Sequence, residues 1–189
     1  MGLVTLKGAD EKDVNGYLDF MTRLSNDEEN YTLSRYSEVD RGRIVEWSKT
    51  WGKQTLMVLA YSEGKVVGLI QLNKGRYFGM EMQSHVGEVA YAVDKPFRGK
   101  GLIYLLFYYL LKDTDVRILT AWVDERNIRS QRVLEKLGFY ELGKADEFLY
   151  SVKEKMFVNM LFYYGRKEVV ERKCREIGAE YELFKDVTA

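Results

Sequence analysis

The stretch VAYAVDKPFRGKGLIYLLFYYLL, residues 89–111, decides the fold. A hydrophobic segment with the composition of a strand runs into a turn that contains Gly99 and Gly101, and an apolar helix follows at once. Glycine lets a backbone approach a ligand closely, and the N-terminus of a helix presents unpaired N–H groups and the positive end of its dipole. Arg98 and Lys100 add positive charge at the same place. The stretch therefore predicts a strand–turn–helix unit that binds a phosphate or pyrophosphate.

Two other phosphate-binding motifs do not fit this turn. A dinucleotide fingerprint GxGxxG that starts at Gly99 would need a glycine where Tyr104 stands. A P-loop needs Gly-Lys-Ser or Gly-Lys-Thr, whereas Lys100 is followed by Gly101. On this motif alone, a basic glycine-containing turn without a ligand is an equal alternative, since short glycine patterns are common.

A second motif, NIRSQRVLEKLGFYELG, residues 127–143, follows a buried strand predicted over residues 117–123. Gly138 is typical of a helix C-terminus. Periodicity elsewhere predicts helices over residues 10–24, 39–49, 102–112, 128–137 and 166–177 and a loop over residues 75–87. It predicts strands over residues 4–7, 55–61, 66–73, 86–93, 139–142 and 156–164, of which 139–142 extends towards residue 150, and a candidate last strand over residues 181–184. Only the centre has the order of a parallel crossover, so the class is mixed α/β of the α+β type.

The turn from Arg98 to Gly101 and the helix end from Asn127 to Phe139, in this order with a strand between them, resemble the GNAT superfamily of N-acetyltransferases. The sequence RVLEKLGF is most similar to the branch of the family that contains the ribosomal-protein N-terminal and polyamine acetyltransferases. The resemblance covers about residues 4–164 and implies a central, mostly antiparallel twisted sheet flanked by helices. We therefore expect a GNAT domain over residues 1–164 and a helical extension of the same domain over residues 165–189.

The resemblance implies transfer of an acetyl group from acetyl-CoA to a primary amine, carried by a polyamine, another small molecule or a protein N-terminus. Two departures from the family pattern support a rival interpretation, a non-catalytic module that binds or senses acyl-CoA. Leu134 stands where the usual tyrosine acid is found, and Ile103 replaces the last small residue of the turn.

The resemblance also assigns coenzyme contacts. The main chain at Val93 would pair with pantetheine and orient the thioester, while Asn127 and Ser130 would contact the coenzyme from the following helix. An alternative for this pair is capping alone, because Asn127 is a good N-cap with Ser130 at the third helical position. Backbone N–H groups of the turn would hold the pyrophosphate; these belong to Arg98, Gly99, Lys100, Gly101, Leu102 and Ile103.

Candidates for the base lie on the strand before the turn. Glu88 and His85 are three residues apart, so a regular strand points them to opposite faces. In many relatives in the family that this sequence resembles, the base lies an even number of residues before the valine that ends this strand. This spacing favours His85, whereas Glu88 would need a β-bulge to act as the base. The acid is unidentified, with Tyr91, Tyr104 and Tyr140 as possible substitutes.

The acceptor is expected to lie among the first two helices and the last hairpin. Acidic and amide residues at 26–30, Glu38 and Asp40 are interleaved with aromatic residues. Carboxylates beside aromatic rings suit a cationic amine. Solvated loop charges and core aromatics are the alternative. The aromatic candidates are Tyr31, Tyr36, Trp47, Trp51, Tyr77 and Phe78.

Composition limits the other partners. Apolar residues make up 46% of the 189 residues, and Lys+Arg and Asp+Glu both number 29, so nucleic acid is not an expected partner. The single histidine and the single cysteine, Cys174, predict neither a metal site nor an internal disulfide. No signal peptide is apparent, and the longest apolar run, residues 102–111, is about half of the ~20 residues that span a membrane. We expect a cytoplasmic protein without membrane contact, possibly a homodimer.

Overall fold

A computed structural model describes residues 4–36 and 39–181, with one seven-stranded sheet at its centre. The strand order is β1-β2-β3-β4-β5-β7-β6, and every neighbouring pair is antiparallel except β4 and β5. The strands are β1 (Val4–Gly8), β2 (Thr55–Ser62), β3 (Lys65–Lys74), β4 (Val86–Val93), β5 (Ile118–Asp124), β6 (Tyr140–Ser151) and β7 (Met156–Arg166). The prediction of a mixed α/β fold with a mostly antiparallel sheet is confirmed.

Helices cover both faces of this sheet, and each face has its own apolar core. The helices are α1 (Val14–Ser25), α2 (Arg41–Ser48), α3 (Gly79–Gln83), α4 (Leu102–Leu111), α5 (Ile128–Lys136) and α6 (Lys167–Gly178). One core contains Phe20 of α1 and the aromatic residues beside it. The other is built around α4, whose residues Leu102, Leu106 and Leu111 are fully buried. Because α4 is apolar on most of its surface, it can be held only between the sheet and a further helix.

That further helix is α6, which packs on α4 and buries Cys174 in the same core. Burial raises the pKa of the Cys174 thiol, so the residue is an inert part of the packing. The division at residue 165 stays a prediction, although α6 shares a core with the strands before it.

Two segments differ from the sequence prediction. Residues 75–87 were expected to form a loop, yet they include the short helix α3; five residues are too few for helical periodicity to be recognised. Of the possible strand over residues 181–184, only Tyr181 lies within the described residues, where it forms a bend.

The strands β4 and β5 separate, and this positions the site. Their parallel pairing joins Val86–Glu88 only to Ile118–Thr120. Beyond Glu88 the edge of β4 that faces β5 has no strand partner among the described residues. On its other edge β4 pairs with β3 without a shift of register, from Lys74↔Gly87 to Gly68↔Val93. A V-shaped gap therefore opens in the sheet beside the turn. None of the helices in the described part of the chain is long and apolar enough to cross a membrane.

Candidate functional site

The glycine turn connects β4 to α4. A short 3₁₀ turn, Lys95–Phe97, precedes it, and Gly99 and Gly101 both have left-handed backbones, with φ of 72° and 83°. Side chains rarely adopt this conformation, which explains why glycine stands at both positions. Gly101 is the N-cap of α4 and provides no capping side chain. No capping side chain therefore occupies the first N–H groups of α4, and their use for a phosphate stays a prediction.

A cleft of about 670 Å³, here called the turn cleft, lies beside this turn. It contains most of the predicted coenzyme residues, namely Val93, Arg98, Gly99, Gly101, Leu102, Ile103, Asn127 and Ser130. Lys100 does not line it, and its ammonium group lies over the ring of Phe97. Three cations of α5 line the cleft as well and were missed by the sequence analysis: Arg129, Arg132 and Lys136. Their spacing of three and four residues on one helix face was the available signal.

Arg98 is engaged within the protein. Its Nε donates to the carbonyl oxygen of Val93 at 2.9 Å, and a terminal nitrogen donates to Asp27 at 2.8 Å. Burial opposes ionisation of Asp27, but the hydrogen bonds from Arg98 and from the Glu29 N–H, together with the charges of Arg98 and Lys95, outweigh it and hold the pKa of Asp27 below its usual value. Arg98 therefore ties the turn to the segment after α1, and its role towards a phosphate stays a prediction.

At the start of α5, the side chain of Asn127 accepts a hydrogen bond from the Ser130 N–H at 3.1 Å. The capping role is thus present, and the coenzyme contact stays a prediction. The Ser130 hydroxyl lies 2.7 Å from the hydroxyl of Tyr91, which also donates to the Ser130 carbonyl at 3.2 Å. Burial raises the pKa of Tyr91, so its hydroxyl stays protonated.

A second cavity, of about 440 Å³ and here called the aromatic cavity, lies between α1, α2 and the sheet. Its aromatic lining residues are Tyr17, Tyr31, Tyr36, Tyr91, Trp47 and Trp122. The two cavities share the residues Asn30, Tyr31, Tyr91, Ala92, Asn127 and Ser130. The two cavities therefore adjoin each other at the gap between β4 and β5.

The predicted acidic groups lie elsewhere. Asp27 pairs with Arg98, Glu29 with Lys95 at 2.9 Å, and Asp40 accepts from the Gly42 N–H as the cap of α2. Glu38 is outside the described residues. None of the acids of residues 26–30, nor Asp40, lines the aromatic cavity.

Glu88 lies on the cavity side of the sheet. It shares a face of β4 with Ala90 and Ala92, which line the cavity, and the regular register shows no bulge. Glu88 therefore lies on the face of β4 opposite to that of Val93; it lines neither cavity, and its role as the base stays a prediction. The Tyr77 hydroxyl donates to the Glu88 carboxylate and accepts from Trp122 Nε1 at 2.8 Å. Burial, together with the bond to Glu88, raises the pKa of Tyr77 to about 12, which keeps this donor protonated.

The other acid and base candidates are placed less favourably. His85 is exposed at the start of β4 and lines neither cavity. Tyr104 lines only the turn cleft, and Tyr140 is 55% exposed on the hairpin. Of the three tyrosines, Tyr91 alone lines both cavities. Within residues 4–36 and 39–181, no three His, Cys, Asp or Glu side chains come together to hold a metal ion.

Comparison with known proteins agrees with this geometry. The sequence model of the acetyltransferase (GNAT) family matches residues 18–139. A Bacillus subtilis protein, YdaF, which carries the name of a ribosomal N-acetyltransferase, is 28% identical over 92 residues. That match spans 47% of this chain and 48% of YdaF, so the chain is matched to about half the length of this curated relative.

Solved structures share the fold. A ribosomal-protein-alanine N-acetyltransferase from Brucella melitensis superposes with a TM-score of 0.69 at 22% identity, covering 86% of this chain and 99% of that one. An acetyltransferase from Salmonella typhimurium, solved with its cofactor acetyl-CoA, superposes with a TM-score of 0.70 at 18% identity, covering 87% and 94%.

Proposed function

Because the chain belongs to the GNAT acetyltransferase family, we propose that it is an acetyl-CoA-dependent N-acetyltransferase acting on a primary amine. The observation that carries the proposal is the junction of the two cavities at the gap between β4 and β5. A donor held in the turn cleft and an amine held in the aromatic cavity would meet there without a barrier of protein between them. The acyl-CoA sensor is the alternative and would use the turn cleft alone.

The Arg98 N–H already donates to the carbonyl of Lys95 at 3.3 Å. In this proposal the pyrophosphate therefore lies on the N–H groups of residues 99–103, with Arg129, Arg132 and Lys136 supplying charge from α5. Pantetheine runs along the unpaired edge of β4 towards Val93, in the way a strand would. Ile103 lines the cleft while part of it packs on the core around α4, so this larger residue leaves the turn open.

The reaction then needs three groups. A backbone N–H of β4 near Val93 stabilises the oxyanion as the amine attacks the thioester. Tyr91 is the proposed acid for the leaving thiolate, since it is protonated and lies at the junction. Glu88 is the proposed base. It stands four residues before Ala92, roughly 13 Å along the strand at ~3.3 Å per residue, so the proton would reach it through water.

Tyr91→Phe tests the acid. We expect kcat to fall ~10²-fold, because protonation of the thiolate loses its positioned donor, while the dissociation constant for acetyl-CoA stays unchanged. Steady-state kinetics and calorimetry measure the two quantities. Tyr140→Phe, on the exposed hairpin, is the matched control and should behave as the parent. Full activity of Tyr91→Phe would exclude this residue as the acid.

The enzyme is separated from the sensor by two measurements on one preparation. Acetyl-CoA should raise the melting temperature, since a ligand that binds only the native state stabilises it. Addition of a primary amine should then release free thiol from acetyl-CoA. A protein that is stabilised by acetyl-CoA but releases no thiol with any amine would be the sensor.

The role of Arg98 towards phosphate is tested by releasing it from its partner. Asp27→Asn removes the charge of the partner and keeps its shape, so Arg98 should turn to the pyrophosphate and coenzyme affinity should rise several-fold. Arg98→Ala should weaken affinity about tenfold, or ~1.4 kcal/mol, and flatten its salt dependence. Equal dissociation constants and equal salt slopes in parent and both variants would show that Arg98 only holds the turn.

A further inference from the structure

The charge of the aromatic cavity restricts the acceptor. Among its described lining residues, only Asp124 has a carboxyl group. The Arg126 guanidinium donates to both oxygens of Asp124, at 2.9 Å and 2.6 Å, and also to Glu154 and to the sulfur of Met156. Asp124 is therefore already engaged in a bidentate ion pair with Arg126, which also pairs with Glu154, and an ammonium group entering the cavity would compete with that ion pair.

The rest of the lining is aromatic, aliphatic or uncharged. Gln71 contributes a neutral amide from β3, at the register position opposite Ala90. Tyr17 and Trp47 meet edge to face at 5.6 Å, and Tyr36 stands beside Tyr17. An ammonium group buried among such rings loses more hydration than contacts with the rings return, whereas an apolar group gains from the same burial.

The strap, residues 30–36, follows the acidic segment after α1 and contributes Asn30, Tyr31, Thr32, Leu33 and Tyr36 to the lining of the cavity. Lys153 in the turn between β6 and β7 ties this strap down. Its ammonium group donates to the carbonyl of Asn30 at 3.0 Å, and its backbone N–H donates to the carbonyl of Leu33 at 3.1 Å. A cavity of about 440 Å³ behind such a strap has the size of a small-molecule site.

We infer that the acceptor is a small primary amine with an aromatic or otherwise apolar body and no second positive charge. The inference rests on the proposed function and deepens it, because it names the acceptor class of the same site. It disfavours the polyamines, whose additional ammonium groups would find no unpaired carboxylate among the described lining residues. It also disfavours a protein N-terminus, which would have to pass under the strap.

The test is a comparison of three acceptors at saturating acetyl-CoA: 2-phenylethylamine, spermidine and a short peptide with an N-terminal serine. We expect kcat/KM for 2-phenylethylamine to exceed that for either of the others by tenfold or more. A preference for spermidine or for the peptide would overturn the inference and leave the proposed function intact.

A charge change within the cavity sharpens the test. Gln71→Glu places a carboxylate among the rings with almost no change of shape, so the ratio of kcat/KM for spermidine to that for 2-phenylethylamine should rise by tenfold or more. Gln54→Glu, exposed where Gln54 contacts the carbonyl of Lys74, is the matched control and should leave the ratio unchanged. An unchanged ratio in Gln71→Glu would also overturn the inference.

Binding measurements keep the inference testable without turnover. Calorimetric titration of each amine into the protein, with and without coenzyme A, ranks the acceptors directly. Failure of acetyl-CoA to bind would contradict the proposed function alone. Tighter binding of spermidine than of 2-phenylethylamine would contradict the acceptor class, whether or not the protein is an enzyme.

Discussion

Replacement of Gly101 by valine is expected to abolish acetyl-CoA binding in a protein that still folds. The residue has a φ of 83°, a conformation that costs a residue with a side chain about 1–2 kcal/mol. A Cβ at this position would also stand 2.4 Å from the ring of Tyr181, so the turn has to move. Since the N–H groups of this turn are the proposed pyrophosphate site, even a small displacement removes several hydrogen bonds together. The rise in melting temperature on addition of acetyl-CoA should disappear.

Further variants distinguish a local effect on the glycine turn from a general loss of stability of the fold. Gly143→Val, at a position with open space and an ordinary backbone, should bind acetyl-CoA as the parent does. Adding Tyr181→Ala to Gly101→Val relieves the contact with the ring but not the backbone strain, so recovery should be partial at most. Circular dichroism verifies folding, and Gly101→Ala provides a milder variant should the valine protein not fold. Parental affinity in a folded Gly101→Val protein would place the coenzyme elsewhere.

The sequence was sufficient for the elements that bury apolar side chains in a regular pattern. The strand from Val86 to Val93 was predicted with its observed bounds, and α4 was predicted to within one residue. The turn was predicted because left-handed backbone at two positions demands glycine. Local chemistry fixes each of these features, so no knowledge of distant partners was required.

Contacts between distant residues were not predictable in the same way. Arg98 and Asp27 are 71 residues apart, and nothing in either segment indicates that they pair. The element that each face of β4 packs against was not predictable, because counting along a strand gives only relative faces. The reference residue Val93 packs towards the core around α4, whereas Ala92 packs towards α1, and only strand pairing reveals this.

The charged residues of the aromatic cavity were likewise not predictable from the order of residues in the sequence. The acids of residues 26–30 were expected to face the acceptor because they are interleaved with aromatic residues in sequence. In the structure Asp27 and Glu29 turn to the cations Arg98 and Lys95 beside the turn, and Asp124, which is paired with Arg126, is the one carboxylate among the described lining residues of the cavity. Sequence adjacency placed Tyr31, Tyr36 and Trp47 correctly, whereas Trp51, Tyr77 and Phe78 do not line the cavity.

Glu88→Gln is expected to lower kcat by ~10²-fold or more while acetyl-CoA affinity is unchanged, because the amine loses its proton acceptor and the coenzyme loses no contact. The residual rate should rise with pH, as a growing fraction of the amine in solution is already deprotonated. His85→Gln is the matched control, since neither residue lines a cavity but the His85 side chain is exposed at the start of the strand whereas Glu88 is half-buried. A loss with His85→Gln but not with Glu88→Gln would reverse this assignment.

A variant of Tyr77 tests whether the hydrogen bond that positions Glu88 is needed for catalysis. Tyr77→Phe removes the hydrogen bond to the Glu88 carboxylate and keeps the ring, so kcat should fall by less than in Glu88→Gln, with KM for the amine little changed. If Tyr77 acts only through Glu88, the double variant should be no slower than Glu88→Gln alone, because the second change removes a contact that no longer serves catalysis. Additive losses would instead give Tyr77 a separate role. Should Glu88→Gln cost no more than a few-fold in kcat, the amine enters already deprotonated, and the enzyme works by positioning the amine against the thioester at the gap between β4 and β5.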